Sequence, residues 1–437
     1  MSLTSVFHKL AAISTSVLIA LAALSSSARS QSSVPVPVKL VRTANGWQLL
    51  RNGQPYFIKG AGGSGSLDRL KAAGANSVRT WGADHLEPLL DEAQKRGMTV
   101  TVGIWLGQER QGFHYHDPRQ VAEQTERVRQ AILRYKDDPA VLLWGLGNEM
   151  EGSGDDPAIW TAVNDLAGMV KQLDPNHPTM TVIAEIGPGG SKLKNLDRYC
   201  PNIDIVGINS YAGAASLAQR YKEAGGTKPY IVTEFGPPGT WEVGKTSWGA
   251  VLEPTSTEKA ASYRRSWEKA IAHEPLCLGG YAFLWGHKQE STATWFGMLL
   301  PDGRKVGAVD AMTEVWTGKP AENLCPILRS LILEGPDQVP PGSIVRAKLD
   351  ASDPQGGPLT VQWILQQETK HVFTGGDPQP TPATDTNAIL QADSQGAQVR
   401  LPQEPGAYRL FVYVYNDKGG AATANIPLRV RVPAQTP

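Results

Sequence analysis

The feature that most constrains the fold is a repeated alternation of short apolar runs with amphipathic segments. Strands that alternate with helices predict a parallel sheet, and eight such units in about 280 residues predict a closed (β/α)₈ TIM barrel rather than an open sheet. The runs are rich in Val, Ile, Thr or aromatic residues, as buried strands are. They are Tyr56–Lys59, Asn76–Trp81, Met98–Ile104, Val141–Gly147, Thr179–Glu185, Asp204–Asn209, Tyr230–Glu234 and Gly279–Trp285.

Helix-start signals lie between these runs. Asp117-Pro118 and Asp156-Pro157 each combine a capping side chain with a proline at the first helical position, and they predict helices that reach Tyr135 and Leu173. Asp84 and Thr257 predict two further helix starts. We therefore assign residues 40–320 to the barrel.

The pattern changes near Pro320. Helical periodicity stops, and short alternating runs such as Val361–Leu365 and Tyr408–Val414 are separated by Pro, Gly and Asp turns. Residues 325–434 are therefore predicted to form a small all-β sandwich. The segments Asp350–Pro354 and Gly406–Asn416 resemble PKD and cadherin-like immunoglobulin-fold modules of secreted proteins. The resemblance allows calcium at the Asp cluster, but a surface turn is the simpler interpretation.

The N-terminus resembles an export signal. His8 and Lys9 precede an apolar run from Leu10 to Leu24, and the small residues Ser26-Ser27-Ala28 follow. This order predicts a signal peptide over residues 1–28 and a linker over residues 29–39. No other apolar stretch approaches the length of a membrane span. We therefore expect a secreted or periplasmic protein with no membrane span after signal cleavage.

Charge and cysteine content argue against several classes of protein. The 42 basic and 42 acidic residues balance, whereas a nucleic-acid binder usually carries a basic excess. Cys200, Cys277 and Cys325 match no zinc or haem spacing and allow at most one disulfide, so buried inert thiols are the simpler interpretation. His114 and His116 lack an evident third ligand. We predict no metal and no cofactor, and the oligomeric state stays open.

Two glutamates mark the expected active site. The catalytic end of a TIM barrel is formed by the carboxyl ends of its strands, where Glu149 lies just beyond strand four and Glu234 ends strand seven. Two opposed carboxylates, one protonated and one ionised, are what glycoside hydrolysis requires. Arg79, after strand two, is suited to keep one carboxylate ionised, and Asn148 to bind a sugar 2-hydroxyl. A structural ion pair for Arg79 and a catalytic role for Glu185 are alternatives.

The motif around each glutamate resembles the clan A glycoside hydrolases. Gly147-Asn148-Glu149 together with Thr233-Glu234-Phe235-Gly236 is most similar to the barrel domain of glycoside hydrolase family 2. Further matching segments are Phe57–Gly60, Asn76–Arg79, Asp174–Pro178, Asp204–Tyr211 and Pro229–Gly236. The resemblance implies that Glu149 is the acid/base and Glu234 the nucleophile. It also implies that Arg79, Asn148 and Tyr211 surround them and that Trp285 forms the floor of the −1 subsite.

The sequence departs from that family in two places. The barrel begins soon after the apolar N-terminal run, where the family has a sugar-binding jelly roll and a sandwich. Strand eight carries Leu284–His287 at its end rather than the acidic segment common in that family. These departures make the family's exo-acting specificities less expected. They favour a similarity to the endo-acting β-glucanases and glucanosyltransferases of the same clan.

Aromatic residues are concentrated beyond the strand ends. The chain has 12 Trp, and flat aromatic rings stack on sugars. Candidate stacking residues are Trp81, Trp105, Tyr115, Trp241, Trp248 and Trp295. For any one of them, packing within a loop is an equal alternative. We predict substrate contacts for Trp81, Trp105, Tyr115, Trp241 and Trp285, with His114 beside them.

These observations predict a secreted retaining β-glycoside hydrolase that acts on oligo- or polysaccharides of the β-glucan type. A transglycosidase using the same site and a non-catalytic carbohydrate-binding barrel are alternatives. A metal-dependent hydrolase or an aldolase lacks support, because strand one carries no histidine ladder and no strand top carries a lysine suited to a Schiff base. The C-terminal module is interpreted as a spacer or a polysaccharide- or surface-contacting domain, whose deletion should leave activity on soluble oligosaccharides. Loss of folding would instead show that it is an integral part.

Overall fold

The structure is a computed structural model that describes residues 34–369, 377 and 379–432. The predicted signal peptide lies outside these residues. Within them no helix is long and apolar enough to cross a membrane.

A small antiparallel sheet precedes the barrel and packs on its amino-terminal end. It consists of β1 Val38–Thr43, β2 Gly46–Arg51 and β3 Gln54–Pro55. Val38 and Leu49 are buried against the apolar residues at the base of the barrel strands. Gly46 has φ +130°, and a Cβ placed there would lie 2.0 Å from the Pro275 carbonyl oxygen, so only glycine allows this contact.

Eight parallel strands form a closed barrel, which confirms the predicted TIM-barrel fold. All eight predicted strands are present, and the last pairs with the first to close the ring. The eighth strand ends at Phe283, two residues earlier than expected. The strands are β4 Ile58–Gly62, β5 Ser77–Arg79, β6 Thr99–Ile104, β7 Val141–Asn148, β8 Thr179–Ala184, β9 Ile205–Asn209, β10 Tyr230–Phe235 and β11 Cys277–Phe283.

Helices cover the outside of the barrel. Asp117 and Asp156 cap α3 and α4 as expected, while α7 begins with a capping box of Thr255 and Glu258 rather than at Thr257. The helices are α1 Leu67–Ala72, α2 Glu87–Lys95, α3 Pro118–Tyr135, α4 Pro157–Leu173, α5 Ser191–Tyr199, α6 Leu217–Glu223, α7 Ser256–Ala270 and α8 Gly307–Thr317.

Two mainly antiparallel sheets follow the barrel, as predicted for the C-terminal region, and the short strands β12 and β14 pair with β21 in parallel. One has the order β12-β21-β20-β16-β17, with β14 beside β21, and the other β13-β15-β19-β18. The first sheet includes β12 Lys305–Val306, which lies before α8 and pairs with Gly420–Ala421. The remaining strands are β13 Ile327–Glu334, β14 Gln338–Val339, β15 Ile344–Ser352, β16 Leu359–Gln367, β17 Thr384–Asp385, β18 Ile389–Ala392, β19 Gly396–Arg400, β20 Gly406–Asn416 and β21 Gly420–Val430.

The Asp cluster of this region forms a turn. Asp353 Oδ1 accepts hydrogen bonds from the backbone N–H groups of Gln355 (2.7 Å) and Gly357 (3.2 Å). Its Oδ2 accepts from the Asn416 amide at 2.9 Å. Both carboxylate oxygens are therefore used within the protein. In the described part of the chain no group of three or more His, Cys, Asp or Glu side chains is arranged to hold a metal ion.

The three cysteines are buried and form no disulfide. Burial raises the pKa of the Cys200 and Cys277 thiols to about 12, because an apolar environment disfavours the thiolate. These thiols are therefore unreactive near neutral pH.

Candidate active site

Glu234 lies at the end of β10 and is almost fully buried, with 6% of its surface exposed. Its Oε1 accepts hydrogen bonds from Arg79 Nη1 (2.9 Å) and Trp81 Nε1 (2.7 Å). Its Oε2 accepts from the Tyr211 hydroxyl at 2.6 Å. Three donors, Arg79 and Trp81 at the end of β5 and Tyr211 after β9, therefore hold this carboxylate in one orientation, and Arg79 is a cation.

Arg79 connects the two halves of the site. It ends β5, is 2% exposed, and donates through Nη1 to the Thr233 carbonyl oxygen as well as to Glu234. Its Nη2 donates to Asn148 Oδ1 at 2.7 Å. Arg79 therefore does form an ion pair, as the alternative interpretation predicted. Its partner is Glu234, the expected nucleophile, so this ion pair lies within the expected active site.

Glu149 follows β7 and has a very different environment. Its backbone has φ +53°, and its Oε1 accepts one hydrogen bond, from Asn209 Nδ2 at 2.6 Å. Burial, and next the negative charge of Glu234, raise the pKa of the Glu149 carboxyl to about 7. The Asn209 hydrogen bond and the Arg79 charge act in the opposite direction. A carboxyl with this pKa can hold a proton near neutral pH and also release it, as a general acid must.

Two asparagines orient the space between the glutamates. Asn148 Oδ1 accepts from Arg79 and, at 3.2 Å, from Asn209 Nδ2, so the Nδ2 of Asn148 is the end of the amide that can donate to a substrate. Asn209 Oδ1 in turn accepts from the Thr233 hydroxyl at 2.7 Å. Sequence reasoning left Asn209 out of the site, although it ends a barrel strand within a segment that resembles family 2.

Glu151 is a second residue that the prediction did not include. Its side chain is fully buried, and its Oε1 accepts from the Ala184 N–H (2.9 Å) and from Lys192 Nζ (2.8 Å). These contacts attach the loop after β7 to the end of β8. Its negative charge is one of the factors that raise the pKa of Glu149.

The aromatic residues next to Glu234 include one that sequence reasoning missed. Phe283, at the end of β11, packs edge-on against Trp81 and Tyr211, with ring centroids 5.8 and 5.9 Å apart. Trp285, the expected floor of the −1 subsite, is only 1% exposed, and its indole N–H donates to the Ser66 carbonyl oxygen. Trp285 therefore does not form the floor of the −1 subsite as expected. The reason is that β11 ends two residues earlier than predicted, so that Phe283 takes the place at the site.

Two predicted stacking residues are available to a ligand. Trp241, in the loop after β10, is 62% exposed and packs its edge against Tyr211 at 5.6 Å. Trp105, directly after β6, is 39% exposed. His114 is also exposed, in the loop that follows β6.

Other predicted aromatics are not available for stacking. Tyr115 is buried beside Phe113, and its hydroxyl donates to the Gly107 carbonyl oxygen at 2.7 Å. Trp295 is buried and donates to the Pro238 carbonyl oxygen. Trp248 is half-buried and donates to Asp337 of the C-terminal region. The prediction that Tyr115 contacts the substrate is therefore wrong, and this residue instead stabilises the loop that contains it.

Glu185 belongs to a separate group. It follows β8 and accepts hydrogen bonds from the Ser210 hydroxyl and from Arg220 Nη1, the latter at 2.7 Å. These side-chain contacts do not include Glu149, Asn148, Arg79 or Glu234, although the Glu185 backbone N–H donates to the Asn209 carbonyl oxygen at 3.0 Å. The structure therefore gives Glu185 no direct link to the expected catalytic pair.

The comparisons with known proteins fit this geometry. The family model "Glycosyl hydrolases family 2, TIM barrel domain" matches residues 67–260, a range that includes Arg79, Glu149 and Glu234. A "Beta-glucuronidase" of Paenibacillus borealis is 27% identical over 236 residues, which cover 44% of this chain and 37% of that protein. A "Probable mannan endo-1,4-beta-mannosidase C" of Aspergillus terreus is 24% identical over 204 residues, which cover 37% of this chain and 49% of the relative.

A solved structure shows the same fold. The β-glucuronidase of Ruminococcus gnavus superimposes with a TM-score of 0.50 at 16% identity, over 64% of this chain and 53% of that chain. The match to each of the two curated relatives above thus spans less than half of that protein's length.

Proposed function

We propose that the protein is a retaining β-glycoside hydrolase acting on β-linked glycans. The proposal starts from the match of residues 67–260 to the glycosyl hydrolase family 2 TIM barrel domain. The observation that carries the proposal is the unequal pair of glutamates. Glu234 accepts three hydrogen bonds, one from Arg79, whereas Glu149 accepts one and has a pKa raised to about 7. Two carboxyls with opposite protonation requirements are what double displacement needs.

In the first step the Glu234 carboxylate attacks the anomeric carbon while the bond from that carbon to the leaving oxygen breaks. Glu149 transfers its proton to the leaving oxygen, and a glycosyl ester of Glu234 forms. Arg79, Trp81 and Tyr211 keep the attacking carboxylate aligned. The Asn148 amide N–H group binds the sugar 2-hydroxyl in this proposal, a contact that strengthens in the transition state.

In the second step Glu149, now a carboxylate, accepts a proton from water. The water oxygen attacks the anomeric carbon, and the ester bond breaks to return the Glu234 carboxylate. A sugar hydroxyl in place of water would make the same site a transglycosidase.

The exposed aromatics support a chain-like substrate of the β-glucan type. Trp105 follows β6 and Trp241 follows β10, and these strands lie opposite each other in the barrel. A glycan that crosses the opening can therefore stack on a ring at each side of the glutamates. This arrangement supports action within a chain, and the names of both curated relatives describe enzymes of β-linked sugars.

Secretion or periplasmic location is a further part of the proposal. It is supported by the charged start, apolar run and small residues of positions 1–28. N-terminal sequencing of the protein after export from a bacterial host tests it, since the proposal requires a new N-terminus near residue 29.

A product screen tests the activity. The protein is incubated with β-1,2-, β-1,3-, β-1,4- and β-1,6-glucan, mannan, xylan and galactan oligomers, and products are measured by mass spectrometry. Shortened products that the Glu234→Gln variant does not form support a hydrolase, and a β-anomer seen first by NMR supports retention. Products longer than the substrate indicate a transglycosidase. Binding without turnover across the panel contradicts the proposal and favours a carbohydrate-binding barrel.

A further inference from the structure

A buried polar network joins the barrel to the C-terminal sandwich. The barrel contributes side chains from the loop after β10, from α7 and from the loop after β11, and the sandwich contributes side chains from the sheet that contains β20 and β21. The members are Glu253, Lys259, Thr292, Thr294, Glu368, Arg409 and Asn425.

Glu253 is the centre of the barrel half. Its side chain is 1% exposed and is paired with Lys259. Its Oε1 also accepts from the Thr294 hydroxyl (2.8 Å), and its Oε2 accepts from the Thr292 hydroxyl (2.6 Å). Glu253 therefore ties the loop after β10 to the loop after β11, and both loops stand at the catalytic end of the barrel.

Arg409 is the centre of the sandwich half. Its side chain is 1% exposed, its Nε donates to Glu368 at 2.9 Å, and its Nη1 donates to Asn425 Oδ1 at 2.6 Å. Its Nη2 donates to the backbone carbonyl oxygen of Val251 at 3.0 Å. Asn425 Nδ2 donates to Glu253 Oε2 at 2.6 Å. The sandwich thus binds both the backbone and a side chain of the loop after β10.

That loop reaches the catalytic glutamate through two contacts. Val251 packs in one apolar cluster with Tyr211, Phe283 and Trp295. Trp241, earlier in the same loop, packs its edge against Tyr211, whose hydroxyl donates to Glu234. Displacement of the loop would therefore move Trp241, the most exposed of the predicted sugar-stacking residues, relative to Glu234.

We propose that the C-terminal sandwich is part of the substrate-binding apparatus and that Arg409 is a positioning residue for the loop of residues 236–254. The ligand class that depends on it is an oligosaccharide long enough to stack on Trp241. This inference rests on the proposed function for its substrate. It replaces the expectation of a separable spacer with that of an integral part of the enzyme.

The physical reason is the cost of ordering a loop. A free loop must lose conformational entropy when a sugar stacks on Trp241, whereas a loop already bound by Arg409 and Asn425 has lost it on folding. Loss of the Arg409 contacts therefore weakens binding of long substrates. A substrate that occupies only the site between the glutamates is affected less.

Tryptic cleavage after Lys245, which is exposed in this loop, measures loop order without any substrate. The first variant combines Arg409→Met with Glu368→Gln, so that the buried Glu368 carboxylate is not left without its cation. The second variant, Arg409→Lys, retains the positive charge and is used if the first folds poorly. Arg329→Ala is the matched control, because the Arg329–Asp350 pair of the same sandwich is exposed. We expect about tenfold faster cleavage after Lys245 in the Arg409 variants than in the control, well below the melting temperature.

Kinetics measure the consequence for the substrate. The probes are laminarihexaose, cellohexaose and mannohexaose, compared with 4-nitrophenyl β-glucopyranoside and β-mannopyranoside. In the Arg409 variants we expect the KM for the preferred hexasaccharide to rise about tenfold and kcat on the aryl glycoside to change less than about twofold. Trp241→Ala should raise the KM for the hexasaccharide by a similar factor, and combining it with an Arg409 variant should add little further increase in KM.

The outcomes separate the two proposals. If the unaltered protein hydrolyses none of the probes while Lys245 becomes sensitive in the Arg409 variants, the proposed function fails and the positioning role stands without its substrate. If the Arg409 variants lower only the melting temperature, or change both classes of substrate equally, the positioning role is overturned.

Discussion

The carboxyl ends of β7 and β10 each present one glutamate to the barrel opening, yet the two side chains have different surroundings. Glu234 accepts hydrogen bonds from Arg79, Trp81 and Tyr211, whereas Glu149 accepts one from Asn209. The pKa of Glu149 is raised to about 7 by burial and by the charge of Glu234. The comparison shows that neighbours from other strands, rather than the strand-end position, make two identical residues suited to different roles.

The largest effect expected is that of Glu234→Gln. An amide is a poor nucleophile, so kcat should fall by on the order of 10⁴-fold or more. Circular dichroism should show an unchanged fold. Substantial activity in a preparation free of unaltered protein would mean that Glu234 and Glu149 do not have the roles assigned here.

A loss that depends on the leaving group should follow Glu149→Ala. Hydrolysis of an oligosaccharide should fall by about 10²–10⁴-fold, because its leaving oxygen needs a proton. Cleavage of a 2,4-dinitrophenyl glycoside should fall much less in its first step, since that group leaves without protonation. Steady-state and burst kinetics on the two substrates provide the check, and equal losses would argue against an acid/base role.

Tyr211→Phe removes one of the three donors to Glu234 and keeps the ring that packs on Trp241 and Phe283. The loss of one hydrogen bond to a charged group, about 1.5–3 kcal/mol, predicts a decrease in kcat of roughly 10- to 150-fold with little change in KM. The matched change at the other glutamate, Asn209→Ala, should affect the pH profile as well as the rate.

The pH dependence of kcat/KM should fall on the alkaline side as Glu149 loses its proton, with an apparent pKa of about 7. The Asn209 hydrogen bond lowers this pKa, so Asn209→Ala should move the alkaline limb to higher pH. The Glu151 charge raises it, so Glu151→Gln should move the limb to lower pH. Shifts of about 0.5–1 unit are expected, and shifts of the same sign would contradict the assigned contacts.

The smallest effect concerns stability. The pKa of Glu149 is above its ordinary value of 4.5, so the folded protein retains a proton that the unfolded chain releases. Stability contributed by this group is therefore present at low pH and is lost as the pH rises from about 4.5 to 7. The Glu149→Gln variant does not lose this stability. The difference between its melting temperature and that of the unaltered protein should therefore grow in favour of the variant by a few degrees as the pH rises over that range.

The barrel and the placement of its two strand-end glutamates were predictable because they depend on local patterns. Each strand is a short apolar run between turn signals, and every such run proved to be a barrel strand. Once the strands are assigned, the barrel rule alone places Glu149 and Glu234 at the same end. Their catalytic roles stay predictions until the variants above are measured.

The end of the eighth strand was not predictable. Residues 277–285 are apolar or small throughout, and a continuous buried run carries no periodicity that shows where pairing stops. The pairing of Phe283 with Gly62 decides it, and this places Phe283 rather than Trp285 against Trp81 and Tyr211, the residues that donate to Glu234. Tyr115 illustrates the same limit, because its burial depends on Phe113 and Gly107 in the folded loop.

By itself the sequence determined the alternating strands and helices, the all-β region after Pro320 and the strand-end glutamates, because these follow from periodicity and turn chemistry within short windows. Tertiary structure decided which side chains meet. Arg79 reaches Glu234 across 155 positions of the chain, and Arg409 reaches Val251 across 158. Such contacts form only when the barrel closes and the sandwich packs on it. The protonation of Glu149 and the position of Trp241 therefore depend on folding distant segments together.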